Sequence, residues 1–395
     1  MTREGLVYLD NAATTRTKPE VLAMMMPYFT EKYGNPSSIY SLAGESRMAV
    51  ETARTQVAAA IGALPEEIFF TSGGTESDNW AIKGIAFANR KKGNHIITSA
   101  IEHHAVLHTC QYLETQGFAV TYVPVDQHGV INLAKLREAI RPETILITVM
   151  FANNEIGTIQ PVAEIAKIAQ EKKIYFHTDA VQAIGHVPVN VKELGVDLLS
   201  LSAHKFYGPK GTGALYVRKG VRIDNFMHGG GQEKRKRAST ENVPGIVGLG
   251  AAIGRATADI DGTAARLIRL RERLKAGIAA KIPNVRFNGH PEQRLPGNLN
   301  VCFEFIEGES LLLLLDQHRI CGSTGSACTS QSLEPSHVLL AIGLPHEIAH
   351  GSLRLTLGDA NTDEEVDYVL DVLPKVVDQL RQMSPLYEKT KKGVC

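Results

Sequence analysis

The chain of 395 residues is long for one compact core and is read as about two domains. Its hydrophobic content of 44% and charged content of 21% are those of an ordinary soluble globular protein. Lys plus Arg and Asp plus Glu both total 42, so the formal net charge is zero, which argues against nucleic-acid or membrane-surface binding driven by bulk charge.

Residues 1–10 are polar and then strand-like and carry no recognisable secretory signal. Helices are expected at 46–61 and, after the strand-like Phe69-Phe70 and a glycine turn, at 75–91. Strands at 95–99, 119–123 and 145–150 then alternate with helices at 104–116, 133–139 and 162–171. Further strands follow at 174–177, 198–202 and 214–217. This alternation predicts an α/β fold, a mostly parallel sheet sandwiched by helices. After about Gly250 the pattern changes to a long charged connector helix at 249–280, strands at 286–287 and 298–305, and a helix at 310–318. A loop around Cys328 and a last helix at 363–383 complete what reads as a smaller α+β domain. The longest obvious apolar run, 311–315, is far too short to cross a bilayer. Cys110, Cys302, Cys321, Cys328 and Cys395 form no disulfide framework and suggest reduced thiols in a cytoplasmic protein.

Chemistry concentrates at strand ends, where parallel sheets bind ligands. The run 198–202 ends in Ser202-Ala203-His204-Lys205 and a glycine-rich turn. A lysine held there beside a hydroxyl and an imidazole suits a Schiff-base lysine, and equally a surface lysine beside a capping serine. His177-Thr178-Asp179-Ala180-Val181-Gln182 follows an apolar run. Pyridoxal phosphate needs a carboxylate against its ring nitrogen, and Asp179 is placed for that, with Gln182 for the ring hydroxyl; a helix N-cap is the plainer reading of Asp179. Thr71-Ser72-Gly73-Gly74-Thr75 reads as strand, turn and helix start, whose bare N–H groups bind phosphate, or as an ordinary turn. All three in this order make coincidence a poor account.

Other motifs carry less. His346-Glu347-Ile348-Ala349-His350 matches the zincin pattern, but Pro345 precedes it and Gly351 closes it, so no zinc is expected. His103, His104 and His108 imitate a metal cluster, and Gly208–Gly213 a phosphate loop without its Lys-Ser/Thr ending. Lys234-Arg235-Lys236-Arg237 reads as a solvated or phosphate-facing loop.

These motifs, with Tyr8-Leu9-Asp10-Asn11-Ala12-Ala13-Thr14-Thr15, Glu102-His103-His104, Asn153-Asn154-Glu155-Ile156-Gly157 and Ser323-Thr324-Gly325-Ser326-Ala327-Cys328, resemble the NifS/IscS-type cysteine desulfurases. That group lies within the class V aminotransferases and the fold-type I pyridoxal phosphate enzymes. The resemblance implies a large cofactor-binding domain over 13–255 and a small domain from 1–12 and 256–395 carrying the catalytic cysteine loop. Lys205 would hold the cofactor covalently. Gly74, Thr75, Ser202 and His204 would hold its phosphate, and Thr240 would reach the phosphate of the other subunit of a homodimer. Asp179 and Gln182 would meet the ring, His104 would stack on it and act in proton transfer, and Asn154 and Arg354 would bind the substrate carboxylate. Cys328 would be the nucleophile that takes sulfur from L-cysteine, leaving alanine. As a persulfide it would pass sulfur to an acceptor such as an iron–sulfur scaffold, and Cys328 would serve as a transient iron–sulfur ligand. The family usually has Gly where this chain has Ser239, so special backbone geometry is expected beside Thr240. A different fold-type I enzyme, such as an aminotransferase or selenocysteine lyase, would share Lys205 and Asp179 without needing Cys328. A non-enzymatic sulfur carrier would need the cysteines alone.

Overall fold

A computed structural model describes residues 5–324, 335–385 and 387. In chain order its first strands are β1 (Val7–Tyr8), β2 (Ile68–Thr71), β3 (His95–Ser99), β4 (Ala119–Val123), β5 (Thr144–Thr148), β6 (Tyr175–Asp179), β7 (Leu198–Ser202) and β8 (Gly213–Val217). The later ones are β9 (Val285–Asn288), β10 (Asn298–Phe303), β11 (Ile320–Cys321) and β12 (Ser352–Thr356). Seven of them form one sheet in the order β2-β8-β7-β6-β5-β3-β4. Only β8 runs against its neighbours; β7, β6, β5, β3 and β4 pair in parallel. The mostly parallel sheet between helices predicted from the alternation is therefore present.

Side-chain alternation explains the layering. Phe69, Ile96, Leu146 and Leu198 pack with Trp80, Ile82, Val106 and Leu113 of the helices Gly74–Asn89 and His104–Thr115. Their successors Phe70, Ile97, Ile147 and Leu199 pack with Val50, Ile165 and Ile246 of the helices Ser41–Ala60, Val162–Glu171 and Val243–Ala256 on the other face. A period of two thus feeds two apolar layers. Each fully buried side chain contributes roughly 1.5–3 kcal/mol relative to exposure. Trp80 shows how the polar handle is met: its indole N–H donates to Asp224 O at 2.9 Å, and its ring meets Phe69 edge-on.

A second apolar cluster joins Leu299, Val301, Leu353 and Leu355 of the antiparallel sheet β12-β10-β9 to Leu270 and Leu274 of the helix Ile260–Lys281 and to Val369 and Leu373 of Asp363–Gln382. Val7 and Leu9 pack here, and β1 pairs in parallel with β11.

The single connector helix expected at 249–280 is instead two. Val243–Ala256 belongs to the first core, and Ile260–Lys281 restarts on a fresh cap in which Asp259 Oδ1 accepts from the Gly262 N–H at 3.0 Å. An aspartate that bonds its own downstream backbone favours a cap over a helix interior. The strand expected at 298–305 stops at Phe303, because Phe305 turns to φ +71°.

Candidate active site

β6 ends in Asp179 and its parallel neighbour β7 ends in Ser202, with His204 and Lys205 in the turn that follows. Beside them starts the helix Gly74–Asn89, whose first internal bond runs from Ser77 to Gly73, leaving the earlier N–H groups bare. Ser72, Gly74, Thr75, Ser202 and His204 border one hollow, together with Thr14 and Lys210, which lie in quoted motifs but carried no assigned role. Two glycines permit this approach. Gly73 sits at φ +152°, and a Cβ on Gly213 would come 2.7 Å from Gly73 Cα.

The segment Asp10–Thr15 runs past Gln182, His204 and Lys205. Lys205 Nζ donates to Ala12 O and Ala13 O, both at 2.7 Å, and Gln182 Nε2 donates to Ala12 O at 2.9 Å. His204 Nδ1 lies 3.0 Å from Thr14 Oγ1, and Thr15 Oγ1 accepts from the Tyr207 N–H at 2.8 Å. Sequence reading marked this stretch only as a family motif; its backbone carbonyls meet Lys205 and Gln182, and carbonyls leave no compositional signal.

Burial sets the charges. Asp179 is pushed up to about 6 by burial, opposed by the Val181 N–H and by the Lys205 ammonium. Behind it Asp78 is raised well above the carboxylate range by burial and by Asp179, and Glu102 is pushed to about 8, chiefly by burial. Glu102 therefore holds its proton at neutral pH, Asp78 is shifted in the same direction, and Asp179 is the acid most ready to ionise. Burial also drives His177 down to about 3; this neutral ring bridges Thr148 Oγ1 at 2.8 Å and Ser200 Oγ at 2.9 Å. His204 falls to about 4 through burial and then Lys205.

His104 begins its helix, its ring 5.0 Å from both His108 and His337. Burial and then those two imidazoles lower it, so it too is neutral near pH 7. Arg354 of β12 donates from Nη1 to Asn154 O at 3.1 Å and pairs through Nη2 with Asp10 Oδ1 at 2.8 Å, which joins the two expected carboxylate ligands in one place. Ser323 pairs with Arg354 across the backbone, and the Ser336 hydroxyl donates to the buried Glu155 carboxylate. Cys328 lies between those two serines, outside the described residues, as does Cys395.

Thr240 stands apart from the hollow. It is exposed and lines a neighbouring one, which shares Ser72 and Gly211 with the first. Ser239 has φ +110°, a conformation that glycine reaches freely, so the special geometry expected there is real and carries a side chain. The His346–Ala349 helix is one turn long, and among the described residues no cluster of His, Cys, Asp and Glu is placed to hold a metal ion.

The donors fit pyridoxal 5'-phosphate. Bare helix N–H groups, Ser202 and a neutral His204 suit its phosphate. A buried Asp179 at the end of β6 suits its ring nitrogen, and Lys205 suits its aldehyde.

A family model described as "Aminotransferase class-V" matches residues 7–369. The chain is 64% identical over 388 residues to "Cysteine desulfurase IscS" of Methanosarcina thermophila, covering 98% of this chain and 96% of that one. Among solved structures it resembles "NIFS-LIKE PROTEIN", with a TM-score of 0.90, 43% identity, and 95% and 100% of the two chains covered. It also resembles "SspA in complex with cysteine", with a TM-score of 0.79, 39% identity, and 89% and 98% covered.

Proposed function

The chain belongs to the class-V aminotransferase family, and from that membership we infer that it is a pyridoxal-phosphate-dependent cysteine desulfurase. The observation that carries this reading is the convergence of Asp179, Lys205 and the helix start at Gly74 on one sheet edge. The cofactor supplies an electron sink for charge developing at the substrate Cα. Gly74, Thr75, Ser202 and His204 would hold its phosphate, Asp179 its ring nitrogen and Gln182 its ring oxygen.

Arg354 and Asn154 hold the carboxylate of L-cysteine. Lys205 Nζ would take the Cα proton, and His104 would stack on the cofactor and act in proton transfer. The Cys328 thiolate attacks the substrate sulfur. An S–S bond forms as the substrate C–S bond breaks, its electron pair stays on carbon, and a proton there completes alanine. One L-cysteine and one thiol thus become one L-alanine and one persulfide.

The persulfide passes to an acceptor protein such as an iron–sulfur scaffold, with Cys328 also a transient cluster ligand, in the cytoplasm. Residues 13–255 form the cofactor domain, and 1–12 with 256–395 the domain that carries the cysteine segment. The active form is a homodimer in which Thr240 reaches the partner's phosphate. Exposed Met24 and Met48, which border one hollow, supply apolar surface for that contact. Among the described residues no helix is long and apolar enough to cross a membrane.

Cys328→Ala decides the reading. It should keep the visible absorbance of the bound cofactor and its response to L-cysteine, and lose sulfide release with dithiothreitol and alanine formation in parallel. Wild-type sulfide production in this variant would make elimination or transamination the better account.

A further inference from the structure

Arg354 is nearly fully buried, with 3% of its side chain accessible. Its Nη2 pairs with Asp10 Oδ1 at 2.8 Å, its Nη1 donates to Asn154 O at 3.1 Å, and its buried Nε has no partner. A guanidinium offers five donors in a plane and takes a carboxylate through two parallel bonds. The fork thus already carries one anion, and its Nε is unmatched among the described residues.

Asp10 is held where it stands. Its carbonyl accepts from the Tyr8 hydroxyl and the Ala13 N–H, each at 3.0 Å, and its backbone bridges Thr356 on the strand that carries Arg354. The backbone therefore cannot carry its carboxylate away when another arrives.

We propose that Asp10 is a resident counter-charge on Arg354 that weakens the grip on α-amino-acid carboxylates, so that the product leaves. This rests on Arg354 as the carboxylate ligand. When an amino acid binds, two carboxylates share one largely buried cation, and like charges at that range repel. Substrate and product carry the same carboxylate, so the repulsion acts on both. It loosens ground-state binding without touching the reacting sulfur, which favours turnover over saturation. Asp10 acts through Arg354 and is a positioning residue.

The test is Asp10→Asn in the holoenzyme, which keeps an oxygen acceptor for Nη2 and removes the charge. L-Alanine affinity, read from cofactor absorbance or calorimetry, should tighten about tenfold, and KM for L-cysteine should fall without a matching gain in kcat. Cysteamine, which lacks the carboxylate, should bind as before. Asp10→Glu, which restores charge, should return alanine affinity toward wild type. A merely structural role would move affinity the other way, so weaker or unchanged alanine binding in folded Asp10→Asn overturns the proposal. If that variant loses the cofactor, Asp10→Ser carries the same test with the same sign. Arg354→Gln separates the failures: unchanged alanine affinity there removes the carboxylate reading itself.

Discussion

Arg54 and Glu233 meet in a two-point ion pair, with both N–O distances 2.8 Å and both side chains buried. Glu233 also accepts the Phe70 N–H at 2.8 Å, on the open side of the edge strand β2. Arg54 donates to Ile68 O at 2.8 Å and lies over the Phe70 ring. One pair thus covers a sheet edge and anchors the segment that leads to Thr240, where Glu233, Lys234, Arg235 and Ser239 all have positive φ.

Removing one partner leaves a buried charge alone. Glu233→Ala or Arg54→Met should cost about 3–5 kcal/mol, while the double Arg54→Met, Glu233→Met chain should recover much of it. Denaturant unfolding of the three variants measures this. Equal losses in single and double variants would mean that packing, not charge, is what the pair supplies.

Asp179 should make the cofactor-free protein pH-sensitive. Its folded value of about 6 lies above the unfolded 3.8, so the folded chain holds a proton that the unfolded chain releases between them. That contribution is complete below pH 3.8 and is lost as pH rises through about 6. The cofactor's ring cation favours the ionised form, so cofactor affinity should instead rise with pH over the same range. Asp179→Asn should flatten both trends. Melting temperature and cofactor titration across pH 4–7 check this, and an unaltered slope in the variant removes Asp179 as the source.

Lys205→Ala should lose the covalent cofactor absorbance and all turnover, since Lys205 alone follows the Ser-x-His turn at the end of β7. His104→Gln should keep the cofactor and lose on the order of 100-fold in turnover, the usual contribution of a positioned proton-transfer group. A variant near wild-type rate would leave His104 only a stacking role.

Met48→Glu should convert the proposed dimer to monomer, because Met48 is two-thirds exposed beside Met24. Mixing inactive Lys205→Ala chains with inactive Thr240→Ala chains should restore part of the activity. In the mixed dimer one site keeps its own lysine and receives a wild-type threonine from its partner. Light scattering and assay together test the point, and a fully active monomer defeats it.

The sequence by itself determined the layered α/β core and the place of the three strand-end motifs, because both are local. Alternation with period two and helix starts after glycine turns are written within a few residues, and Ser202, His204 and Lys205 reach one place because they share one turn. What the tertiary structure alone decided is long-range and polar. Asp10 and Arg354 are 344 positions apart, Lys205 and Ala12 are 193, and Arg54 and Glu233 are 179. The break at 257–259 was likewise hidden, since charged residues continue through it with helical spacing and only the Asp259 cap ends the turn. No spacing rule links such pairs. They form because burying a charge or a carbonyl leaves a donor or acceptor that must be met, and only the folded chain determines which distant group is near enough to meet it.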